Sequence, residues 1–154
     1  MIPVKVLNQS PFVFLGYATP GSAGFDICIS EDVSIRPGAT VLAHTGISLI
    51  IPKGYEGQLR LRSSMSKSGL IMPNAPGTID SDYRGEIKIP LRNVQQWDIV
   101  ELKAGAKVAQ MVINQIPEVH FEFLEKFDFD AYCPTARGDG GFGSTGQNSD
   151  GASL

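Results

Sequence analysis

Apolar and polar residues alternate with a period of two along much of the chain. Gln58-Leu59-Arg60-Leu61-Arg62 sets leucine between amide and cation, Ile87-Lys88-Ile89-Pro90-Leu91 repeats the pattern, and Val119-His120-Phe121-Glu122-Phe123 does so again. Residues 41–51 and 108–113 are further apolar runs of strand length. A period of two puts alternate side chains on one face of an extended chain, so these runs predict short β-strands. Pro90 has no amide hydrogen for a ladder, which predicts a sheet edge or a bulge at that point. Proline and glycine separate the runs at Arg36-Pro37-Gly38, Pro52-Lys53-Gly54, Ala75-Pro76-Gly77 and Lys103-Ala104-Gly105, where they supply the fixed and positive φ values of tight turns. No segment keeps a helical period for three turns; one short helix is expected near residues 64–68.

The pattern predicts an all-β fold, a jelly-roll-like β-barrel or sandwich of short strands. So many short strands leave edges to be paired or covered, and a homo-oligomer is one way to cover them. From Cys133 onward the character changes. Arg137-Gly138-Asp139-Gly140-Gly141-Phe142-Gly143-Ser144-Thr145-Gly146 offers almost nothing to bury except Phe142. The expected organisation is therefore a β domain over residues 1–134 and a flexible, Gly-rich C-terminal arm over residues 135–154.

Composition narrows the function. The chain has 154 residues, 42% of them apolar, enough for one domain with one core. A formal charge of −3 argues against a broad nucleic-acid surface, which needs many cations to displace counterions. It leaves room for a small anionic ligand held by a few local cations. No run approaches the roughly 20 apolar residues of a membrane helix, and the N-terminus lacks a signal-peptide layout. The expectation is a soluble, cytoplasmic protein, with the nucleus left open, and reduced thiols at Cys28 and Cys133 rather than a disulfide. The sequon at Asn8 and the Arg137-Gly138-Asp139 tripeptide then carry no secretory meaning.

Three segments hold candidate chemistry. Residues 74–86 read locally as a β-hairpin with an acidic turn. They also place a carboxylate, Asp80 or Asp82, beside an aromatic, Tyr83, and an amide, Asn74, able to read a pyrimidine edge. Arg62-Ser63-Ser64 is a cation followed by two hydroxyls, suited to phosphate oxygens, or a strand end followed by a serine helix cap. The glycines around Arg137 would let backbone amides approach phosphates, yet no lysine and helix follow as in a P-loop. His44 and His120 lie in strand-like runs without partners at metal-ligand spacing, and read as structural. Residues 122–130 read as a solvated edge.

In this order the segments resemble the trimeric dUTPase family. Its five ordered motifs have counterparts at Ser22-Ala23-Gly24-Phe25-Asp26-Ile27, at Arg62-Ser63-Ser64, across residues 74–86, at Gly105-Ala106-Lys107-Val108-Ala109-Gln110, and across residues 137–146. The resemblance implies a homotrimer with shared active sites. It implies hydrolysis of dUTP to dUMP and pyrophosphate by Mg²⁺-assisted, in-line water attack on the α-phosphorus, lowering dUTP and supplying dUMP for thymidylate synthesis. It gives Asp80 the attacking water, and gives Asn74, with the backbone of Gly77, Thr78 and Ile79, the uracil edge. By the same resemblance Tyr83 is expected to pack beneath the deoxyribose and exclude a 2′-hydroxyl. Arg62, Ser63, Ser64, Lys88, Gln110, Arg137, Gly143, Ser144 and Thr145 are the remaining substrate contacts; Phe142 closes over uracil. The resemblance also implies that Asp26 reaches Mg²⁺ through water, the metal being held mainly by substrate phosphates. No nucleic-acid or membrane partner is implied.

Three positions depart from the family pattern. Lys107 stands where arginine is usual, a point charge for a planar fork. Ser64 replaces a common glycine and adds a hydroxyl. Cys133-Pro134-Thr135-Ala136 precedes Arg137 where an acidic residue is usual. Two alternatives remain at this level. A dCTP deaminase relative would need a glutamate general acid/base in residues 87–93, which have none. A non-catalytic nucleotide sensor could use the same fold.

Overall fold

In the computed structural model, strands form wherever the period of two meets a partner strand. The structure describes residues 1–12, 15–132, 135, 136, 138 and 140. The chain divides into two compact units, residues 1–118 and 119–154.

The first unit contains eleven antiparallel strands among the described residues: β1 (Lys5–Asn8), β2 (Phe25–Cys28), β3 (Val33–Ile35), β4 (Thr40–His44), β5 (Ile47–Ile50), β6 (Tyr55–Leu61), β7 (Leu70–Ile71), β8 (Gly77–Ile79), β9 (Lys88–Asn93), β10 (Val100–Leu102) and β11 (Lys107–Gln115). They form a four-stranded sheet in the order β2-β11-β6-β8, a three-stranded sheet in the order β4-β9-β7, and the ribbons β1-β5 and β3-β10. This is the expected jelly-roll-like, all-β architecture, with no closed barrel among the described residues. A 3₁₀ turn at Ser63–Lys67 occupies the place expected for a short helix.

The core draws on every sheet: Ile27, Ile29, Ile35, Ile47, Leu49, Leu59, Ile89, Leu91, Val108 and Met111 are all buried. Between β6 and β11 the register pairs Leu61 with Ala109, Leu59 with Met111 and Gly57 with Ile113, which puts the apolar set on one face. Gly57 is small because the core presses on it; a Cβ there would lie 3.0 Å from both Ile51 Cδ1 and Met111 Sδ. Asn93 is the buried polar exception. Its amide donates to Ile35 O (2.9 Å) and Asp98 O (2.8 Å) and accepts from Gln95 N (2.9 Å), tying β9 to β3 and to the following loop.

One strand expectation is sharpened here and another is corrected. Pro90 lies in β9, the middle strand of its sheet, opposite Leu42. It is tolerated because β7 reaches only Arg92 and Asn93, so β9 is locally an edge at Pro90. Residues 74–86 do not form a hairpin. β8 pairs with β6, whereas β9 pairs with β4 and β7, so residues 80–87 cross from one sheet to the other.

In the second unit, the alternating run at 119–123 forms no strand, and residues read as a solvated edge include a helix, α1 (Lys126–Tyr132). Phe129 N donates to Glu125 O at 3.0 Å, and Val119, Phe121, Phe123, Phe127 and Phe129 are exposed. Alternation makes a strand only where another strand supplies the ladder, and this run has none among the described residues.

Candidate active site

The first polar cluster is built where β2, β6 and β11 run side by side. Asp26 on β2 stands opposite Gln110 on β11, and Gln110 stands opposite Arg60 on β6. Arg62 follows the end of β6, and its Nε reaches Asp26 Oδ1 at 2.8 Å. Lys107 Nζ reaches Asp26 Oδ2 at 3.1 Å. The Asp26 side chain is only 12% exposed, against 36% for Arg62 and 44% for Lys107, so one nearly buried carboxylate organises two half-exposed cations.

A bulge makes this arrangement. Lys107 and Gln110 are three residues apart, so a regular strand would set them on opposite faces. The register of β11 against β2 shifts between Lys107 and Ala109, which returns Lys107 to the face of Asp26 and leaves both Val108 and Ala109 buried. Gly24 completes the cluster by close approach. A Cβ there would lie 3.0 Å from Gln110 Oε1 and 3.1 Å from Met111 O. Ser63 and Ser64 are exposed beside Arg62. Neither caps the 3₁₀ turn: Arg62 is its N-cap residue, with no side-chain cap bond, so the helix-cap alternative falls away.

The second cluster surrounds the crossing segment. A cavity of about 310 Å³ is lined by Leu42, Thr78, Ile79, Asp80, Tyr83, Glu86, Ile87 and Lys88. It gathers five of the sequence-derived site residues, Thr78, Ile79, Asp80, Tyr83 and Lys88. Asn74 packs against Gly77, which precedes the lining residue Thr78: a Cβ on Gly77 would sit 3.3 Å from Asn74 Nδ2. The Ala75-Pro76 bond between them is cis. A second cavity, of about 540 Å³, lies against Lys53, Glu56, Asp80, Ser81 and Asp82. Asp80 therefore borders both cavities, but Asp82 borders only the one without Tyr83, which separates the two carboxylates left open by the sequence. An apolar cavity of about 360 Å³ near Val4, Leu15, Phe25 and Leu49 holds none of these groups.

Tyr83 is held from two sides. Its hydroxyl donates to Glu86 O at 2.9 Å, and its ring covers Gly85, where a Cβ would meet Tyr83 Cζ at 2.7 Å. Glu86 is fixed in turn. Its carboxylate accepts from Thr45 N (3.1 Å) and Gly46 N (2.8 Å) and bonds His44 Nδ1 at 2.8 Å. Burial pushes the Glu86 carboxyl upward, but the Gly46 amide, the His44 ring and the Thr45 amide outweigh it and hold the pKa below the ordinary 4.5. The sequence gives no local sign of this clamp, because residues 44–46 lie some forty positions earlier.

The two clusters do not meet within the chain. The register that pairs Gly57 with Ile79 puts Asp80 at the level of Glu56, six residues before Arg62 on β6. At about 3.3 Å per residue, Arg62 lies roughly 20 Å along the strand from the level of Asp80. Arg137, Phe142, Gly143, Ser144, Thr145 and Cys133 lie outside the described residues. Among the described residues, no three His, Cys, Asp or Glu side chains converge as a metal-binding group, and no helix is long and apolar enough to cross a membrane.

A family model described as dUTPase matches residues 11–146. A deoxyuridine 5′-triphosphate nucleotidohydrolase of Anaplasma marginale is 43% identical over 152 residues, covering 95% of this chain and 99% of its own. Among solved structures, a Staphylococcus bacteriophage 80alpha dUTPase with dUPNHPP superposes with a TM-score of 0.84 at 25% identity, covering 94% of this chain and 99% of that one. A dUTPase variant from phage phi11 of S. aureus, whose structure reveals the coordination of a structural Mg(II) ion, superposes with a TM-score of 0.74 at 25% identity, covering 82% and 99%.

Proposed function

The chain belongs to the dUTPase family and is a dUTP diphosphatase, and from that premise we propose how its residues divide the reaction. The family assignment displaces the deaminase and sensor alternatives. What carries the proposal is the sharing of one cavity by Asp80, Tyr83, Thr78 and Lys88 while the cation cluster stands apart.

Uracil docks against Asn74 and the backbone of Gly77, Thr78 and Ile79, and the deoxyribose lies on Tyr83. Asp80 accepts a proton from a water that attacks the α-phosphorus. The bond from the α-phosphorus to the bridging oxygen breaks, giving dUMP and pyrophosphate. Arg62, Ser63, Ser64 and Gln110 receive phosphate oxygens, with Lys88 a further contact at the Tyr83 cavity. Their charge and hydrogen bonds stabilise the departing pyrophosphate. Ser64 adds a hydroxyl donor, and Lys107 contributes a point charge steadied by Asp26. Arg137, Phe142, Gly143, Ser144 and Thr145 close the site as part of a lid over residues 135–154.

Asp26 fits Mg²⁺ only through water. Its two oxygens already hold Arg62 and Lys107 and are nearly buried, yet each oxygen keeps a lone pair for a bridging water. When bound on the substrate, Mg²⁺ supplies neutralisation of triphosphate charge. The biological role proposed is to lower dUTP and supply dUMP for thymidylate synthesis, in the cytoplasm.

The roughly 20 Å along β6 from Arg62 to the level of Asp80 supports a site built from more than one copy, and a homotrimer with shared sites is the proposed assembly. Pyrophosphate release from dUTP with Mg²⁺ tests the reading. Asp80→Asn should bind a non-hydrolysable dUTP analogue about as well as the parent while turnover falls by about 10²-fold or more. Turnover within a few-fold of the parent would remove Asp80 as the base.

A further inference from the structure

We propose that Glu86 is a positioning residue for sugar selectivity, fixing through its backbone carbonyl the Tyr83 ring on which the deoxyribose rests. The inference rests on the reading of Tyr83 given above and extends it to a residue that reading leaves without a role.

The geometry forms a chain of contacts. Tyr83 donates its hydroxyl to Glu86 O at 2.9 Å, so the far end of the ring is placed by the backbone of residue 86. That backbone is placed by the Glu86 side chain, which reaches the turn between β4 and β5 through Gly46 N at 2.8 Å, Thr45 N at 3.1 Å and His44 Nδ1 at 2.8 Å. The next residue is fastened to the same turn. Ile87 N donates to Ile47 O at 2.8 Å, and Thr45 Oγ1 donates to Ile87 O at 2.6 Å. Among the described residues, none of the bonds of residues 80–85 ties the segment to another strand. Tyr83 N returns to Asp80 O, and the Arg84 side chain donates to Ser81 O and Tyr83 O, all within the segment. Glu86 is therefore the point at which this locally bonded loop becomes fixed to the sheet. Gly85 makes room for this ring position, because a Cβ there would meet Tyr83 Cζ at 2.7 Å.

Discrimination against a 2′-hydroxyl is a steric effect, so it depends on where the ring stands rather than on its presence. Loosening Glu86 should allow the ring to retreat and admit a ribonucleotide. The experiment measures kcat/KM for dUTP and for UTP in the full-length protein, with oligomeric state and thermal melt as folding controls. Glu86→Ala should lower the dUTP/UTP ratio by about fivefold to tenfold, the size of one lost hydrogen bond. Glu86→Gln, which keeps a carbonyl oxygen for the Gly46 amide, should recover part of that ratio. Tyr83→Phe, which cuts the same link at its other end, should lower the ratio similarly, and the double variant should be no worse than either single.

Tyr83→Ala separates the two ideas. If Tyr83→Ala lowers the ratio and folded Glu86→Ala does not, the positioning role is overturned and the Tyr83 reading stands. If Tyr83→Ala leaves the ratio unchanged, the Tyr83 reading fails and the positioning role fails with it. Should Glu86→Ala not fold, Tyr83→Phe decides: an unchanged ratio overturns the proposal.

Discussion

Replacing Asp26 by asparagine keeps the shape of the side chain and removes its charge from between Arg62 Nε, 2.8 Å away, and Lys107 Nζ, 3.1 Å away. At an effective dielectric near 20, each contact has a Coulomb energy of about 5–6 kcal/mol. That is an upper bound, since Arg62 and Lys107 are 36% and 44% exposed and water screens both. Breaking a fully buried pair costs about 3–5 kcal/mol, and exposed pairs contribute up to about 1 kcal/mol. With Asp26 itself 12% exposed, the expected loss lies between these limits, about 2–3 kcal/mol. For a chain of this size that lowers Tm by roughly 5–10 °C. Arg62 also loses the contact that orients its guanidinium, so kcat/KM for dUTP should fall by about tenfold or more. Thermal melts and steady-state kinetics at two salt concentrations check both. A cycle with Lys107→Met should show coupling of about 1 kcal/mol. An unchanged Tm with an unchanged kcat/KM would refute the view that Asp26 organises the two cations.

The remaining predictions concern the clamp and the core. The Glu86 carboxyl has a folded pKa below its ordinary 4.5, so its stabilisation is full above that pH and is lost as pH falls through the depressed value. Glu86→Gln should therefore melt below the parent at pH 7, and the difference should shrink as the melts are taken to acid pH below the ordinary 4.5; a constant difference would contradict the linkage. Asn93→Ala removes a fully buried side chain and leaves Ile35 O without its partner in the core and Asp98 O and Gln95 N without theirs nearer the surface, which should cost about 2–3 kcal/mol by chemical denaturation. A loss under 1 kcal/mol would mean that water or a local shift replaces those bonds.

Local information made much of the molecule legible. The alternation in residues 58–62 and 87–91 became β6 and β9, because a buried face selects the same parity that the sequence displays. The all-β class followed from such runs, and the family resemblance picked out Asp80, Tyr83, Thr78 and Lys88, which line one cavity. Pairing was not legible. β8 and β9 are close in sequence, yet they serve different sheets, since the partners of β9 lie in β4 and β7. Lys107 is the clearest case at the site. Parity alone would set it away from Gln110 and Asp26, and only the bulge beside Val108 brings it to the carboxylate. Glu86 was missed for a related reason, since its partners at Thr45 and Gly46 are joined to it through space. At residues 119–123 the alternation itself misleads, because a strand needs a neighbour as well as a period.

The central proposal is that Asp80 of one copy works with Arg62 of another, and the distance along β6 from Arg62 to the level of Asp80 supports it. Subunit complementation tests it directly. Asp80→Asn and Arg62→Ala chains, each inactive alone, are co-expressed, and mixed oligomers are isolated with two affinity tags. Shared sites predict that the mixed oligomers hydrolyse dUTP at a substantial fraction of the parent rate, since some sites then draw an intact Asp80 and an intact Arg62 from different chains. Mixed oligomers as inactive as their parents would contradict the account.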